Sequence, residues 1–133
     1  MFLPINYDSG KTATMKMVAT GTITKGDALD FSAGLVQRAT GASTQVKYVA
    51  LEAKTTTGTS VGILVVSTIG VKFLADCTHD MAQSYVGTIV DLTDHANLDN
   101  DAASTDYVFE IENIYGATTD KKCVGYFHQA TAN

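Results

Sequence analysis

The amino-acid sequence predicts an all-β fold, a compact β-sandwich or β-barrel of about 8–10 short strands. Three observations favour this class: apolar and polar residues alternate with a period of two, β-branched residues are abundant, and turn-forming residues separate the apolar runs. Threonine alone accounts for nineteen of the 133 residues. Its branched side chain suits a pleated strand better than a helix, so a helical bundle is a poor description of this chain.

Two segments carry the clearest strand patterns. Residues 107–115 alternate, so that both Glu residues are predicted to take one face of the strand. The side chains predicted on the other face are Tyr107, Phe109, Ile111 and Tyr115. Residues 61–69 form a β-branched run without such alternation, which predicts a strand buried on both faces. We predict a short helical turn at 79–85 and a polar, acidic loop at 94–105. Further strands are predicted at 14–19, 28–31, 35–38, 48–53, 71–75, 87–92 and 123–128.

Length and composition predict one soluble domain with a core of its own. A chain of 133 residues that is 45% hydrophobic can bury most of its surface without disulfide bonds or metal ions to hold it together. No apolar run approaches the roughly 18 residues that a membrane span needs. The first residues lack a basic region followed by a long apolar one, so we do not expect a signal peptide. We divide the chain into an N-terminal arm, residues 1–10, and a single β domain, residues 11–133.

Charge is distributed unevenly along the chain. Residues 1–75 hold seven Lys or Arg against four Asp or Glu, a balance of +3, whereas residues 76–133 hold two against ten, a balance of −8. The only basic doublet is Lys121-Lys122, so nucleic acid is an unsuitable partner. The acidic half is either a solvated face or one end of a bipolar molecule. In the bipolar case, we expect the less acidic half, together with the N-terminal arm, to face the partner.

Catalytic and metal-binding motifs are scarce. The chain lacks a nucleophile elbow, a zinc-protease motif, a Walker loop and a dinucleotide fingerprint, and we therefore expect no enzymatic activity and no cofactor. Residues 76–80 offer mixed metal ligands, but neighbouring residues cannot all converge on one ion. Asp99, Asp101 and Glu110 fit three positions of a calcium loop, yet Ala103 and Ser104 replace an oxygen ligand and the required glycine. We expect no metal site.

Two other features leave alternatives open. Cys77 and Cys123 could pair if their strands are neighbours, although two inert, buried thiols are the simpler interpretation. The N-terminal arm is unusually apolar for a chain end. Its side chains either cover the domain's own barrel or dock on a neighbouring subunit or partner. The candidate contact residues are Phe2, Leu3, Pro4, Ile5 and Tyr7.

An ordered series of short segments across about 100 residues resembles the decoration, or cement, proteins of tailed-phage capsids. No single segment is specific, and the resemblance depends on their order. The segments are Gly26-Asp27-Ala28-Leu29, Gly34-Leu35-Val36, Ala39-Thr40, Val49-Ala50-Leu51-Glu52-Ala53, a turn at Gly58, Val61-Gly62-Ile63-Leu64-Val65, Gly70-Val71-Lys72-Phe73, Val86-Gly87-Thr88 and Cys123-Val124-Gly125-Tyr126-Phe127.

The resemblance implies a compact, β-tulip-like fold and a structural role without catalysis. Such proteins bind the outside of an expanded capsid, usually as homotrimers, and brace it against the pressure of the packaged DNA. The implied partner is the phage major capsid protein, and neither nucleic acid nor a membrane is implied. The implied location is the virion exterior, after assembly in the host cytoplasm. The chain departs from its relatives at Thr59, where an acidic residue often follows the turn glycine.

Three other functions compete with this one. A phage fibre or tail β-module would show strict repeats or a coiled-coil stem, and neither is visible in the sequence. A carbohydrate-binding β-sandwich would present exposed aromatic residues, yet the chain contains no tryptophan. An esterase-like enzyme would need a nucleophile, a base and an orienting residue, and no segment concentrates them.

Overall fold

The computed structural model describes residues 1–101 and 104–128. Within these ranges the chain forms thirteen β-strands and three single-turn 3-10 helices, at Ser9–Lys11, Gln83–Tyr85 and Thr118–Asp120. No helix in the described ranges is long and apolar enough to cross a membrane. The strands are β1 Phe2–Ile5, β2 Thr12–Lys16, β3 Thr20–Ile23, β4 Ala28–Ser32, β5 Leu35–Arg38, β6 Tyr48–Ala50, β7 Lys54–Thr57, β8 Gly62–Ser67, β9 Lys72–Cys77, β10 Ile89–Leu92, β11 Asn97–Asp99, β12 Phe109–Ile114 and β13 Lys122–Phe127.

Most of the second half of the chain forms a closed barrel. Its strand order is β9-β11-β10-β12-β13, and β13 pairs again with β9 to close the ring. All of these pairings are antiparallel except the parallel pair of β11 with β9. Strand β1 pairs with the same edge of β9 as β11 does, but with the earlier part of β9. The first strand therefore lies against the barrel. We call these six strands the barrel sheet.

The first half forms a second sheet with the order β2-β8-β6-β4-β5, and β3 and β7 form a separate two-stranded ribbon. The second sheet is strongly bent, because Met17, just after β2, makes a parallel bridge to Val36 on β5. The backbone N–H of Val18 also donates to the carbonyl of Val36 at 3.0 Å. Side chains enclosed by this bend form a small core of Met17, Ile23, Leu29, Val36, Ala50, Ile63 and Val65.

The larger core fills the barrel and the space between the two sheets. Four phenylalanine rings lie at its centre with centroid separations of 5.1–6.1 Å, in tilted or edge-to-face arrangements. Strand β8 faces both cores, because Val65 packs in the smaller one and Val66 in the larger one. The prediction of a strand buried on both faces is confirmed at Val65 and Val66. It is wrong for the rest of residues 61–69, because Val61, Leu64 and Ile69 are exposed. The four rings belong to Phe2, Phe73, Phe109 and Phe127.

The all-β fold is confirmed, and a strand lies in each of the nine segments predicted to hold one. The described ranges hold thirteen strands and not 8–10, because β1, β3, β7 and β11 are short or lack clear alternation. The predicted helical turn contains only the 3-10 turn at Gln83–Tyr85. The predicted loop at 94–105 contains β11, and its residues 102 and 103 lie outside the described ranges.

The predicted faces of residues 107–115 are wrong at both ends. Phe109 and Ile111 are buried as expected, but Tyr107 and Tyr115 are exposed. A β-bulge between Ile111 and Asn113 inserts one residue, which reverses the in-and-out alternation beyond it. At the other end, Tyr107 precedes β12 and has a positive φ of 55°, so it is not part of the strand.

The N-terminal segment joins the more acidic of the two sheets, and the expectation that it faces a partner together with the less acidic half stays a prediction. Residues 12–67, which hold the second sheet and the ribbon, contain five Lys or Arg and three Asp or Glu. Residues 72–127, which hold the rest of the barrel sheet, contain three against ten. Strand β1 pairs with β9 and so joins the acidic sheet. β1 pairs with the part of β9 that β11 leaves unpaired on that edge, so the backbone groups there are hydrogen-bonded. Phe2 adds the fourth ring to the aromatic core.

Candidate binding surface

Strand β1 places successive side chains on opposite sides of the barrel sheet. Phe2 points inward and has no exposed surface, whereas Leu3 points outward and is 37% exposed. Leu3 lies directly opposite Leu74 on β9, and Leu74 lies opposite Val124 on β13. Both of these partners are only half-buried.

These three side chains form a continuous apolar stripe, which we define as Leu3, Leu74 and Val124. The next residue across the sheet is Asn113 on β12, which pairs with Val124. Neighbouring strands lie about 4.8 Å apart, so the row from β1 to β12 spans about 14 Å. Cross-strand neighbours on one face of a sheet are in contact. The stripe is therefore a single patch and not three scattered residues.

Three ion pairs border the stripe on two sides, and two of them share Asp76. On one side, Lys122 on β13 contacts Asp76 on β9, and the Met1 amino group lies 3.1 Å from the other oxygen of Asp76. On the other side, Nζ of Lys72 lies 2.8 Å from Oε1 of Glu112. All of these groups are partly exposed, so each pair is worth only about 0–1 kcal/mol. An apolar centre with a charged rim is the usual arrangement of a protein-binding surface.

The pKa values of the first ion pair follow from its contacts. Partial burial of Asp76 opposes its ionisation, but the hydrogen bonds from Lys122 and the Met1 amino group outweigh this effect and lower its pKa. The hydrogen bond to Asp76 raises the pKa of Lys122. Asp76 and Lys122 are therefore both charged at neutral pH, so the rim on this side carries a negative and a positive charge.

An apolar hollow lies next to the stripe, at the start of β9. It has a volume of about 230 Å³. Lys72, which pairs with Ile5 of β1, is one of its lining residues. Ile69 is among the most exposed large apolar side chains of the described chain. The remaining lining residues are Thr68, Gly70, Val71, Tyr126 and Phe127.

The structure separates the five predicted contact residues. Phe2 is a core residue, which corrects its assignment as a surface contact and agrees with the alternative that the segment covers its own barrel. Leu3 and Tyr7 are exposed, and Pro4 and Ile5 are half-buried on the same strand. Leu74 and Val124 were not among the predicted contact residues. The alternation of 71–75 and 123–128 places them outward, but only the strand pairing reveals that they meet Leu3.

A second, more polar groove lies on the other sheet, with a volume of about 310 Å³. Its floor includes Asp30, which accepts a hydrogen bond from Ser43 Oγ at 2.7 Å. Phe31 stands beside it, 38% exposed, with its ring edge-to-face against Tyr48 at 6.0 Å. The other lining residues are Ala42, Thr44, Gln45 and Lys47.

The residues considered as metal ligands point in different directions. Asp76 is held in its ion pair, Cys77 points into the core, and His79 lies at the surface, 3.4 Å from a carboxylate oxygen of Asp101. Glu110 lies on β12 opposite Tyr126 and Ile89. In residues 1–101 and 104–128 no three His, Cys, Asp or Glu side chains are grouped to hold a metal ion. Ala103, a key position of the calcium template, lies outside these ranges.

Comparison with known proteins identified no relative of this chain. No family model matches the chain, and neither a curated protein nor a solved structure matches it significantly.

Proposed function

We propose that the chain is a structural virion protein that binds the outer surface of a tailed-phage capsid and stabilises it. The observation that carries the proposal is the apolar stripe of Leu3, Leu74 and Val124, exposed on a rigid barrel between the ion pairs that border it on two sides. The resemblance in segment order supplies the class of partner, a phage major capsid protein. In this role the protein acts through contact alone, without a cofactor or a chemical step.

The energetics of the stripe suit attachment by many copies. Full burial of an exposed aliphatic side chain contributes about 1.5–3 kcal/mol. Leu3, Leu74 and Val124 are already partly buried, so each contributes the share that belongs to its remaining exposed surface. Together with the neighbouring hollow, these shares exceed the about 0–1 kcal/mol of one exposed ion pair. Ordering and desolvation costs leave a modest net affinity for each copy. Copies that also contact one another on a lattice gain from multivalency. We propose a homotrimer as the assembled unit.

The first experiment is mass spectrometry of purified virions of the phage that encodes the chain. A decoration protein is present at a copy number comparable with that of the capsid protein, and chemical cross-linking of the particles yields trimers of the chain. A copy number of a few per virion would instead favour a fibre or tail module. Absence from purified virions would refute a structural virion role.

The second experiment tests the surface. The wild-type chain should co-sediment with empty expanded capsids of the same phage, and the double variant Leu3→Ser/Val124→Ser should lose at least about tenfold in affinity. Phe31→Ser is the matched control, because Phe31 has nearly the same exposure as Leu3 but lies on the other sheet. Equal loss in both variants, or in neither, would refute the assignment of the stripe.

A carbohydrate-binding role is the second candidate, favoured by the polar groove beside Phe31. An exposed aromatic ring next to carboxylate, amide and ammonium groups provides the apolar and polar contacts that a sugar ring requires. It ranks lower because the ring of Phe31 already packs edge-to-face on Tyr48. On a glycan array, specific binding that Phe31→Ser abolishes and Leu3→Ser leaves intact would favour this role over capsid attachment.

A further inference from the structure

The two cysteines of the chain, Cys77 and Cys123, meet inside the barrel. Cys77 is the last residue of β9 and Cys123 lies on β13, the neighbouring antiparallel strand. Both side chains point into the main core, and the Cys77 thiol donates to Sγ of Cys123 at a sulfur–sulfur distance of 3.7 Å. Both are free thiols. No other cysteine occurs in the sequence, so each has one possible partner within the chain.

We propose that Cys77 and Cys123 form an oxidation site, at which a small hydroperoxide converts the two thiols into a disulfide that locks β9 to β13. A disulfide requires the sulfur atoms to approach to about 2.05 Å, so closure needs a movement of roughly 1.5–2 Å. The pair is diagonal across the ladder, because Cys123 lies opposite Ala75, two residues before Cys77, so the movement falls on the end of β9 and the start of β13. The cross-link would close the barrel covalently at the seam between its strands.

The location of the pair gives a small oxidant a route to one sulfur. Cys77 is 5% exposed and Cys123 has no exposed surface. Cys77 is followed by the half-buried Thr78 and the exposed His79. On the other strand, Lys121 precedes β13 in a left-handed turn with a φ of 57°, and its carbonyl accepts a hydrogen bond from the Cys77 N–H at 2.8 Å. We expect a hydroperoxide to reach Cys77 through local opening at this strand end, which a bulkier disulfide reagent would need to widen further.

The chemistry assigns different roles to the two sulfurs. Once Cys77 is ionised, Cys123 is the donor in their shared hydrogen bond, and this contact lowers the pKa of Cys77. The same contact, together with burial, raises the pKa of Cys123. The thiolate is the reactive form, so Cys77 is the attacking residue and Cys123 is the resolving residue.

The reaction balances with hydrogen peroxide as the oxidant. The Cys77 thiolate attacks one peroxide oxygen, the O–O bond breaks, and the released hydroxide takes up the former thiol proton as water. Cys77 is now a sulfenic acid. Sγ of Cys123 then attacks Sγ of Cys77, and the hydroxyl leaves with the Cys123 proton as a second water. Two thiols are oxidised to one disulfide, and one peroxide is reduced to two waters.

Formation of the disulfide depends only on the fold of the chain, so this proposal does not depend on the proposed capsid binding. The disulfide would join two residues that are 46 positions apart in the sequence, and loops of this length give a large entropic gain when they are closed. Reduced thiols are expected inside a cell and oxidation outside it. The barrel would therefore become more resistant to unfolding in an oxidising environment.

The test treats purified, reduced protein with hydrogen peroxide and then unfolds and alkylates it. We expect both thiols to be protected from alkylation, and peptide mapping to find Cys77 linked to Cys123 in the monomer, reversibly with dithiothreitol. The variant Cys123→Ser should stop with oxygen added to Cys77 or with two chains linked through Cys77, whereas Cys77→Ser should leave the buried Cys123 thiol unoxidised. Free thiols in the treated wild type, or links only between chains, would overturn the proposal.

A thermal measurement tests whether the bond braces the barrel, and it uses the wild-type chain alone. Peroxide-treated protein is compared before and after dithiothreitol, which opens the disulfide but leaves oxidised methionines unchanged. We expect the disulfide form to unfold at least about 5 °C higher. An equal or lower unfolding temperature would show that the bond strains the barrel, and the proposed locking of β9 to β13 would be refuted.

Discussion

The carboxylate of Asp27 accepts a hydrogen bond from Nδ1 of His95 at 2.9 Å, across the junction between the two sheets. Asp27 immediately precedes β4 of the second sheet, and His95 lies between β10 and β11 of the barrel sheet. Asp27 is almost fully buried. Its charge is compensated by Nε of Arg38 at 2.8 Å and by the N–H of Thr24 at 2.8 Å. One buried carboxylate therefore joins a turn, a strand and a loop from both halves of the chain.

The stability of the protein should fall in acid because of Asp27. Burial opposes the ionisation of Asp27, but hydrogen bonds from Thr24, Arg38 and His95 outweigh this effect and lower its pKa below the ordinary value. A carboxylate with a lowered folded-state pKa stabilises above about pH 4 and loses that contribution as the pH falls through the folded-state pKa. Urea unfolding across a pH series should show the loss of stability in this range.

The variant Asp27→Asn isolates this contribution. At neutral pH it should lower the free energy of unfolding by about 2–3 kcal/mol, because it removes hydrogen bonds to a charged acceptor. Below the folded-state pKa of Asp27 the difference from the wild type should shrink. Asp80→Asn is the control, because Asp80 is exposed. A constant difference between Asp27→Asn and the wild type at every pH would contradict the assignment.

Truncation of two adjacent residues of β1 should lower the free energy of unfolding by very different amounts. Phe2→Ala should destabilise the domain by about 3–5 kcal/mol, because it empties space between the rings of Phe109 and Phe127. Leu3→Ala, one residue further on the outer face, should change stability by less than about 1 kcal/mol. Chemical denaturation of both variants checks this pair of values. Similar losses in the two would mean that β1 does not have this register.

Gly125 should not tolerate a side chain. It lies on β13 inside the barrel, where an added Cβ would collide with the carbonyl oxygen of Glu110 and the ring of Phe109. Backbone cannot move aside without breaking the pairing of β12 with β13, so Gly125→Ala should lower the unfolding midpoint markedly or prevent folding. Gly21→Ala is the control, because its Cβ would meet only a methyl group of Val18. If both variants melt alike, the close approach of β12 and β13 is not present.

Strand positions were predictable because they depend on local pattern. Alternation and β-branched runs mark β8, β9, β12 and β13, whose side chains alternate between core and surface or pack on both faces. The ribbon strand β7 is Lys-Thr-Thr-Thr, and only Thr56 is buried there, so no apolar pattern marks it. The bulge after Ile111 was equally invisible, because a single inserted residue leaves no compositional signal.

The candidate binding surface was only partly predictable, because strand pairing brings its residues together. Leu3 was a candidate from its position in an apolar terminus, but Leu74 and Val124 read as ordinary members of two distant strands. Their contact follows from the register of β1 with β9 and of β9 with β13, which no local pattern determines. The burial of Phe2 likewise depends on three other rings from the far half of the chain.

Salt dependence should distinguish the stripe from its charged rim. In co-sedimentation with empty expanded capsids, binding of the wild type should survive a moderate rise in salt, since exposed ion pairs contribute only about 0–1 kcal/mol each and are screened. The variant Lys72→Ala/Glu112→Ala should bind within about fivefold of the wild type at every salt concentration. Leu3→Ser/Val124→Ser should bind weakly throughout, because burial of apolar surface does not depend on charge. Binding that disappears with salt, yet is unaffected by Leu3→Ser/Val124→Ser, would move the attachment from the stripe to the charged groups around it.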